Sequence, residues 1–181
     1  MIDLGSPRYY KQHFDDAIAI THRFGMPSLF ITMTFNPNWP EVKEAINITI
    51  DGITLQQDAN FRPDIIARVF KLKVKQLLND IMKRQIFGKA LAYVGTIEYQ
   101  KRGFPHLHLL VILSHDDKKF FLENLDCFVC AELPNKTVDK ELHKLVDEFM
   151  VHSPCGKFNP KASCMIGEPG NERCRHRFPK E

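Results

Sequence analysis

Apolar positions recur along this chain with two different periods, and the places where the period changes mark out the expected elements. Tyr10, Phe14, Ala17 and Ile18 keep helical spacing behind Ser6-Pro7, a capping serine followed by a proline at the first helical position; Gly25 and Pro27 close the segment. A helix through Arg23 is expected, with a stripe, extended by Phe24, that packs on something. Leu29 to Phe35 alternates instead, which predicts a strand with Leu29, Ile31, Met33 and Phe35 inward and Phe30, Thr32 and Thr34 outward. Asn36-Pro-Asn-Trp-Pro40 is a turn cluster, and Pro40-Glu41-Val42 opens a short helix. Residues 47–61 are polar and weakly patterned, so they read as a loop holding a small hairpin around Asp51-Gly52. The longest helical stripe, from Ile65 and Ile66 through Phe70 and Leu77 to Ile81, starts behind Pro63 and is expected to last until Gly88. After Ser114 the pattern weakens to a helix over Lys118–Leu125, a strand over Cys127–Leu133 and a helix from Val138 to Met150.

Between Leu91 and Leu113 two alternating runs flank Lys101-Arg102-Gly103, the layout of a hairpin. Leu107, Leu109, Val111 and Leu113 form an inner row on the second strand, so His106 and His108 point together to the other face. Leu91, Tyr93, Ile97 and Tyr99 supply the inner row of the first strand and Thr96, Glu98 and Gln100 its outer row. With the turn centred on Arg102, paired residue numbers sum to about 204, which sets Glu98 opposite His106. Two imidazoles and a carboxylate then converge, a set suited to a divalent ion that keeps open positions for substrate oxygens. A His-x-His pair taken alone is common and has a bland explanation. An acid facing it across a hairpin is harder to ascribe to packing. A third histidine at the next alternate position would suggest a histidine-triad phosphate hydrolase, but Leu110 stands there.

Composition narrows the setting: 181 residues, 44% hydrophobic and 26% charged, describe a soluble globular domain with a sizeable core and a small appendage. The longest apolar run is far too short for a bilayer and the N-terminus lacks a secretory layout, so no membrane association is expected. Charge is uneven. From Pro63 to Arg102 there are six Lys and three Arg against Asp64, Asp80 and Glu98, whereas from Ser114 to Phe149 five Lys face nine acidic residues. A basic segment that includes Lys101-Arg102 favours a polyanion beside the hairpin, though a solvated helix face explains Lys71, Lys73, Lys75, Lys83 and Arg84 equally well. Thr32 and Thr34, ordinary strand formers, would also be placed to donate to a nucleic-acid backbone.

Five Cys is an odd number, which favours metal ligation in a reducing, intracellular compartment over disulfides. His152, Cys155, Cys164 and Cys174 lie among Pro, Gly and Lys with little apolar residue to form a core, and a tetrahedral Zn2+ would hold that segment together; His176 is an alternative to His152. The bland alternative is a tail whose cysteines are incidental. Cys127-x2-Cys130 has ligand spacing too, but its apolar surroundings read as buried structural cysteine. The element order suits an α+β fold, an antiparallel sheet with helices packed on one face, ferredoxin-like or related, with a small C-terminal zinc-binding extension. The other sheet face is left to Thr32, Thr34, Glu98, His106 and His108.

The runs Gly5-Ser-Pro-Arg8, Asp16-Ala-Ile-Ala19, Phe30-Ile-Thr-Met-Thr-Phe-Asn-Pro-Asn-Trp-Pro40, Arg62-Pro-Asp64, Arg68-Val-Phe-Lys-Leu-Lys73, Glu98-Tyr-Gln-Lys-Arg-Gly-Phe-Pro-His-Leu-His108, Ala131-Glu-Leu-Pro134, Met150-Val-His-Ser-Pro-Cys-Gly156 and Phe178-Pro-Lys180 resemble the N-terminal helicase-like region of Helitron transposon proteins over nearly the whole chain. The hairpin itself resembles the His-hydrophobe-His motif of replication-initiator (Rep) and relaxase endonucleases. The resemblance implies cleavage and joining of single-stranded DNA for rolling-circle-like transposition: Mg2+ or Mn2+ held by Glu98, His106 and His108, a tyrosine nucleophile, a 5′-phosphotyrosine link and a nuclear location. It also implies that the nucleophilic tyrosines and a helicase region belong to a longer parent protein, downstream of residue 181. Tyr9, Tyr10, Tyr93 and Tyr99 read better as packing residues than as nucleophiles, and no Gly-rich ATP loop is present. The expected division is a Helitron-like Rep domain over 1–150 and a His/Cys zinc-binding extension over 151–181. The chain alone is expected to bind DNA and metal and to cleave poorly, so its standing as an enzyme is open; a non-catalytic, zinc-stabilised DNA-binding module is the other reading.

Overall fold

A computed structural model of the chain describes residues 4–50, 53–99, 103–130, 132–150, 152, 155–157, 159–162, 164–168 and 170–178. They fall into two compact units, Met1–Leu125 and Asp126–Glu181.

The first unit is α+β. In chain order it contains α1 (Pro7–Phe24), β1 (Leu29–Thr34), α2 (Pro40–Ile46), β2 (Asn47–Ile50), β3 (Ile53–Gln56), a 3-10 turn (Ala59–Phe61), α3 (Pro63–Met82), β4 (Ala90–Tyr99), β5 (Pro105–Leu113) and α4 (His115–Glu123), and α5 (Leu125–Phe128) spans its end. β1, β5 and β4 form one antiparallel sheet in that order, so β5 lies between two strands that run parallel to each other. A helical crossover from β1 to β4 with a third strand inserted is the split βαβ arrangement. β2 and β3 pair separately, Asn47 with Gln56 through Ile50 with Ile53, while the Asp51-Gly52 turn lies outside the described residues.

Burial follows the pleat from Pro105 to Val111, beyond which Ile112, of the opposite parity, is buried too. Leu107, Leu109 and Val111 are nearly inaccessible and face α3, whose Ile65, Ile66, Phe70 and Ile81 are buried with them. Phe35, directly after β1, joins this core, and Val42 and Ile46 of α2 close it from the side. On β1 the burial alternates as the pattern required, with Leu29, Ile31 and Met33 against the core and Phe30, Thr32 and Thr34 exposed.

Several expectations need correction. α1 is capped by Ser6, whose hydroxyl oxygen accepts from the Tyr9 N–H, yet it buries no residue, and Tyr10, Phe14 and Ile18 are exposed. Its less accessible positions are Tyr9, Ala17, Ile20 and Thr21, a neighbouring stripe of the same helix. α3 ends at Met82 rather than at Gly88, and Gln85 takes a left-handed conformation (φ 55°) to turn the chain toward β4. Leu91 is not on the inner row: a bulge between Ala90 and Ala92 shifts the register, so Ala90 takes the inward place opposite Leu113 and Leu91 turns outward. Tyr93, Ile97 and Tyr99 have the inward parity expected of them but remain exposed, because β4 is the sheet's edge and its inward side is only partly covered.

In the second unit α6 (Lys140–Phe149) is capped by Asp139, whose carboxylate accepts from the Leu142 N–H. Among the described residues of Cys127–Leu133 the expected strand does not form. Leu125–Phe128 is a helical turn, and Cys127 and Cys130 are exposed rather than buried. Neighbouring Asp126 and Glu132 break the apolar run, so alternation there had no face to bury. β6 (Met165–Ile166) and β7 (Arg173–Cys174) form a short ribbon around the cysteines. Among the described residues no helix is long and apolar enough to cross a membrane.

Candidate functional site

The open face of the first unit's sheet is built in cross-strand rows. Thr34, His106 and Glu98 stand side by side across β1, β5 and β4, and Thr32, His108 and Thr96 form the next row. The expected opposition of Glu98 and His106 holds, and numbers across the hairpin sum to 204 from Tyr99–Pro105 down to Ala92–Ile112, before the bulge. Both histidines are half-buried, while Glu98, Thr32 and Thr34 are exposed. One ligand atom from each of Glu98, His106 and His108 lies within 4.8 Å of the others.

The hydrogen bonds assign roles within this group. Thr34 Oγ1 is 2.7 Å from His106 Nδ1, which leaves His106 Nε2 free to face the triad. His108 Nε2 is 2.9 Å from Glu98 Oε1, a diagonal contact between rows. That bond, with the positive charge available on His108 and then His106, holds the Glu98 carboxyl below the usual glutamate value. Two ligands at adjacent corners of an octahedral ion at about 2.1 Å are about 3.0 Å apart, so the Glu98–His108 spacing accommodates a hard divalent cation with little movement. The donor set, two imidazoles and a carboxylate on an accessible surface, leaves the remaining corners for water or phosphate oxygen. His108 Nδ1 is buried and has no hydrogen-bond partner among the described residues.

Sequence reasoning placed Thr34 on this face as a donor to DNA; its hydroxyl is engaged by His106. The signal that would have revealed this is the neighbour relation of β1 and β5, which pairs Thr34 with His106 and is not contained in either strand's own pattern. Thr32 is exposed opposite His108. Lys101 and Arg102, with Gln100, lie outside the described residues. Tyr93 and Tyr99 pair with Val111 and Pro105 and therefore sit on the sheet face opposite the histidines.

The second cluster is made by His152, Cys155, Cys164 and Cys174, again with ligand atoms within 4.8 Å of one another. All three thiols are buried, and Cys174 Sγ lies 3.4 Å from His152 Nε2. Tetrahedral S and N ligands of one zinc ion stand about 3.5 Å apart, so this spacing fits a soft four-coordinate site. The ribbon supplies the geometry: Cys164 precedes β6, Cys174 ends β7, and the His176 backbone N–H donates to Cys174 Sγ. The His176 ring instead accepts from Arg175 Nε, and it is His152 that joins the thiols. Burial, with the neighbouring Cys174 and Cys164 thiols, pushes the Cys155 thiol up to about 11. Burial acts the same way on Cys174, but the Phe178 and His176 backbone N–H groups and the adjacent thiols outweigh it and bring that thiol down to about 7. Crowded buried thiols of this kind ionise together only beside a cation.

No curated protein matches the chain. The family model described as the Helitron helicase-like domain at the N-terminus matches residues 3–111, more than half of the 181 residues, from ahead of α1 to Val111 of the histidine strand. With the paired histidines of β5 inside that span, the chain belongs to the Helitron helicase-like N-terminal domain family, which ties it to a transposase-related role.

Proposed function

We infer that this chain is the metal-binding part of a single-stranded DNA endonuclease that works by tyrosine transesterification in rolling-circle-type transposition. The observation that carries the reading is the convergence of Glu98, His106 and His108 on the open face of the sheet. An ion of the magnesium or manganese type bound there would neutralise charge developing on a scissile phosphate. The chain's own residues do the positioning: Thr34 orients the His106 ring through Nδ1, Glu98 supplies the anionic ligand, and the paired strands set all three side chains on one face. The attacking tyrosine is assigned to the longer, helicase-containing parent protein; of this chain's four tyrosines, Tyr93 and Tyr99 face away from the histidines, and Tyr9 and Tyr10 lie on α1 rather than on the sheet that carries them. His152, Cys155, Cys164 and Cys174 are assigned to a structural zinc, making the segment from residue 151 a zinc-stabilised extension of a domain reaching to residue 150. Lys101, Arg102 and Thr32 are the proposed backbone contacts for DNA, and the nucleus is the expected compartment.

One observation favours a second reading. The Glu98–His108 bond gives the carboxylate and His108 Nε2 a partner without any ion, as expected of a non-catalytic DNA-binding module stabilised by zinc alone. Calorimetric titration with Mn2+ and a nicking assay on labelled single-stranded DNA separate the two. The first reading expects saturable Mn2+ binding lost in His106→Ala and His108→Ala, with cleavage appearing when a downstream tyrosine segment is present. Identical Mn2+ titrations for the wild type and both variants would leave the second reading standing.

A further inference from the structure

Among the described residues of the sheet's outer face, Phe30 is the only phenylalanine, tyrosine or tryptophan, and it adjoins the triad. Strand register places it opposite Leu110, diagonal to His108, a separation that aromatic side chains bridge. Its ring lies parallel to the His108 imidazole, with 8° between planes and 5.6 Å between centroids. Its flanking neighbours Leu29 and Ile31 pack into the core, yet Phe30 is 65% exposed. One edge of the ring's surroundings is therefore fixed by the imidazole while most of the ring is open to a ligand. Across the strands the same row continues with Leu110 and Val94, half-buried aliphatic side chains, whereas the adjoining rows carry His108, Thr32, His106 and Glu98. An apolar row beside a cation-binding row matches the alternation of flat base and charged phosphate in a single nucleic-acid strand.

We propose that Phe30 is a base-stacking platform, on which the nucleobase next to the phosphate at the Glu98, His106 and His108 site lies flat. The proposal rests on the reading that this site takes a phosphate of single-stranded DNA. Stacking on an aromatic face is tolerant of base identity, because every base presents a π-surface, so the platform contributes affinity and placement rather than sequence choice. The His108 stack holds the ring in place before DNA arrives, which lowers the ordering cost of binding.

The test is fluorescence anisotropy with a labelled oligo-dT and an oligonucleotide of equal length carrying abasic sugars, each measured in EDTA and in Mn2+. The wild type is expected to prefer oligo-dT, and Phe30→Ala to weaken oligo-dT binding by roughly tenfold while leaving the abasic strand unchanged. Phe30→Trp is expected to retain affinity and to show emission, beyond that of Trp39, quenched on adding oligo-dT. Equal wild-type binding of the two strands overturns the proposal, even if Phe30→Ala fails to fold, and so does an equal loss on both strands in Phe30→Ala. The two layers fail separately. If Mn2+ tightens neither strand but the Phe30 dependence persists, the metal reading falls and the platform stands; if Mn2+ tightens both strands alike with no base dependence, the platform falls alone.

Discussion

Thr34 and Asp64 illustrate how much a single polar contact can govern here. Thr34 is exposed, so its removal costs the fold little, yet its hydroxyl is the partner that leaves His106 Nε2 directed at the triad. Losing an outer partner of a metal-binding histidine typically weakens metal binding about 10- to 100-fold. Thr34→Val is therefore expected to weaken Mn2+ binding in calorimetry by about that factor with an unchanged unfolding transition, and an unaltered titration would deny Thr34 this role. Asp64, in the first turn of α3, receives two hydrogen bonds from the Arg62 guanidinium at 3.0 and 2.8 Å. That pairing holds its carboxyl down at about 2, below the ordinary 3.8. A depressed carboxyl stabilises the folded state above its unfolded value and loses that contribution as pH falls through the folded one. Thermal midpoints should thus fall more steeply between pH 4 and 2 in the wild type than in Asp64→Asn. Parallel curves would mean that the pair contributes nothing measurable.

At the scale of the element, β5 carries both the core and the chemistry, separated only by the pleat. Leu109 is 1% exposed on one face, and His108 and Leu110 flank it on the other. Leu109→Ala is expected to destabilise the first unit by about 2–5 kcal/mol in urea unfolding, through lost burial and the cavity left behind. Thr32→Ala, on the exposed face of β1, should stay within about 0.5 kcal/mol of the wild type. Comparable losses for both would contradict the face assignment. Gly95 of β4 stands opposite Leu109, and a Cβ there would meet Leu109 Cδ1 at 3.2 Å, so the central strand is packed closely on this side too. The strand pattern itself was readable because a period of two survives wherever one face is buried, which is why β1 and β5 match their expected parity residue by residue. It failed at Leu91, since a bulge inserts a residue without altering composition, and at Cys127–Leu133, where an apolar run has no sheet to join.

For the whole molecule, the two units differ in what holds them together. The first has a core shared by α2, α3 and the sheet; the second has a buried cluster made chiefly of Cys155, Cys164 and Cys174. A chelator that strips zinc should therefore raise amide exchange across 152–178 while the protection of β1, β4 and β5 persists. Equal exchange in both states would remove zinc from the account of the second unit. His152→Ala should reproduce the chelator's effect and His176→Ala should not, because only the former ring lies with the thiols.

The parity of β1 and β5, the Ser6 cap of α1, the Glu98–His106 opposition and the ligand-type residues of the tail were all determined by the amino-acid sequence alone, because each depends on local periodicity or on spacing within one hairpin. Tertiary structure decided which strand lies next to which. By seating β5 between β1 and β4 it joined Thr34 to His106 and laid Phe30 against His108; within the second unit, the fold around the cysteines set His152 rather than His176 beside the thiols. Those relations depend on contacts between residues far apart in the chain, where the energy comes from complementary burial of whole faces and no local pattern records the choice of neighbour.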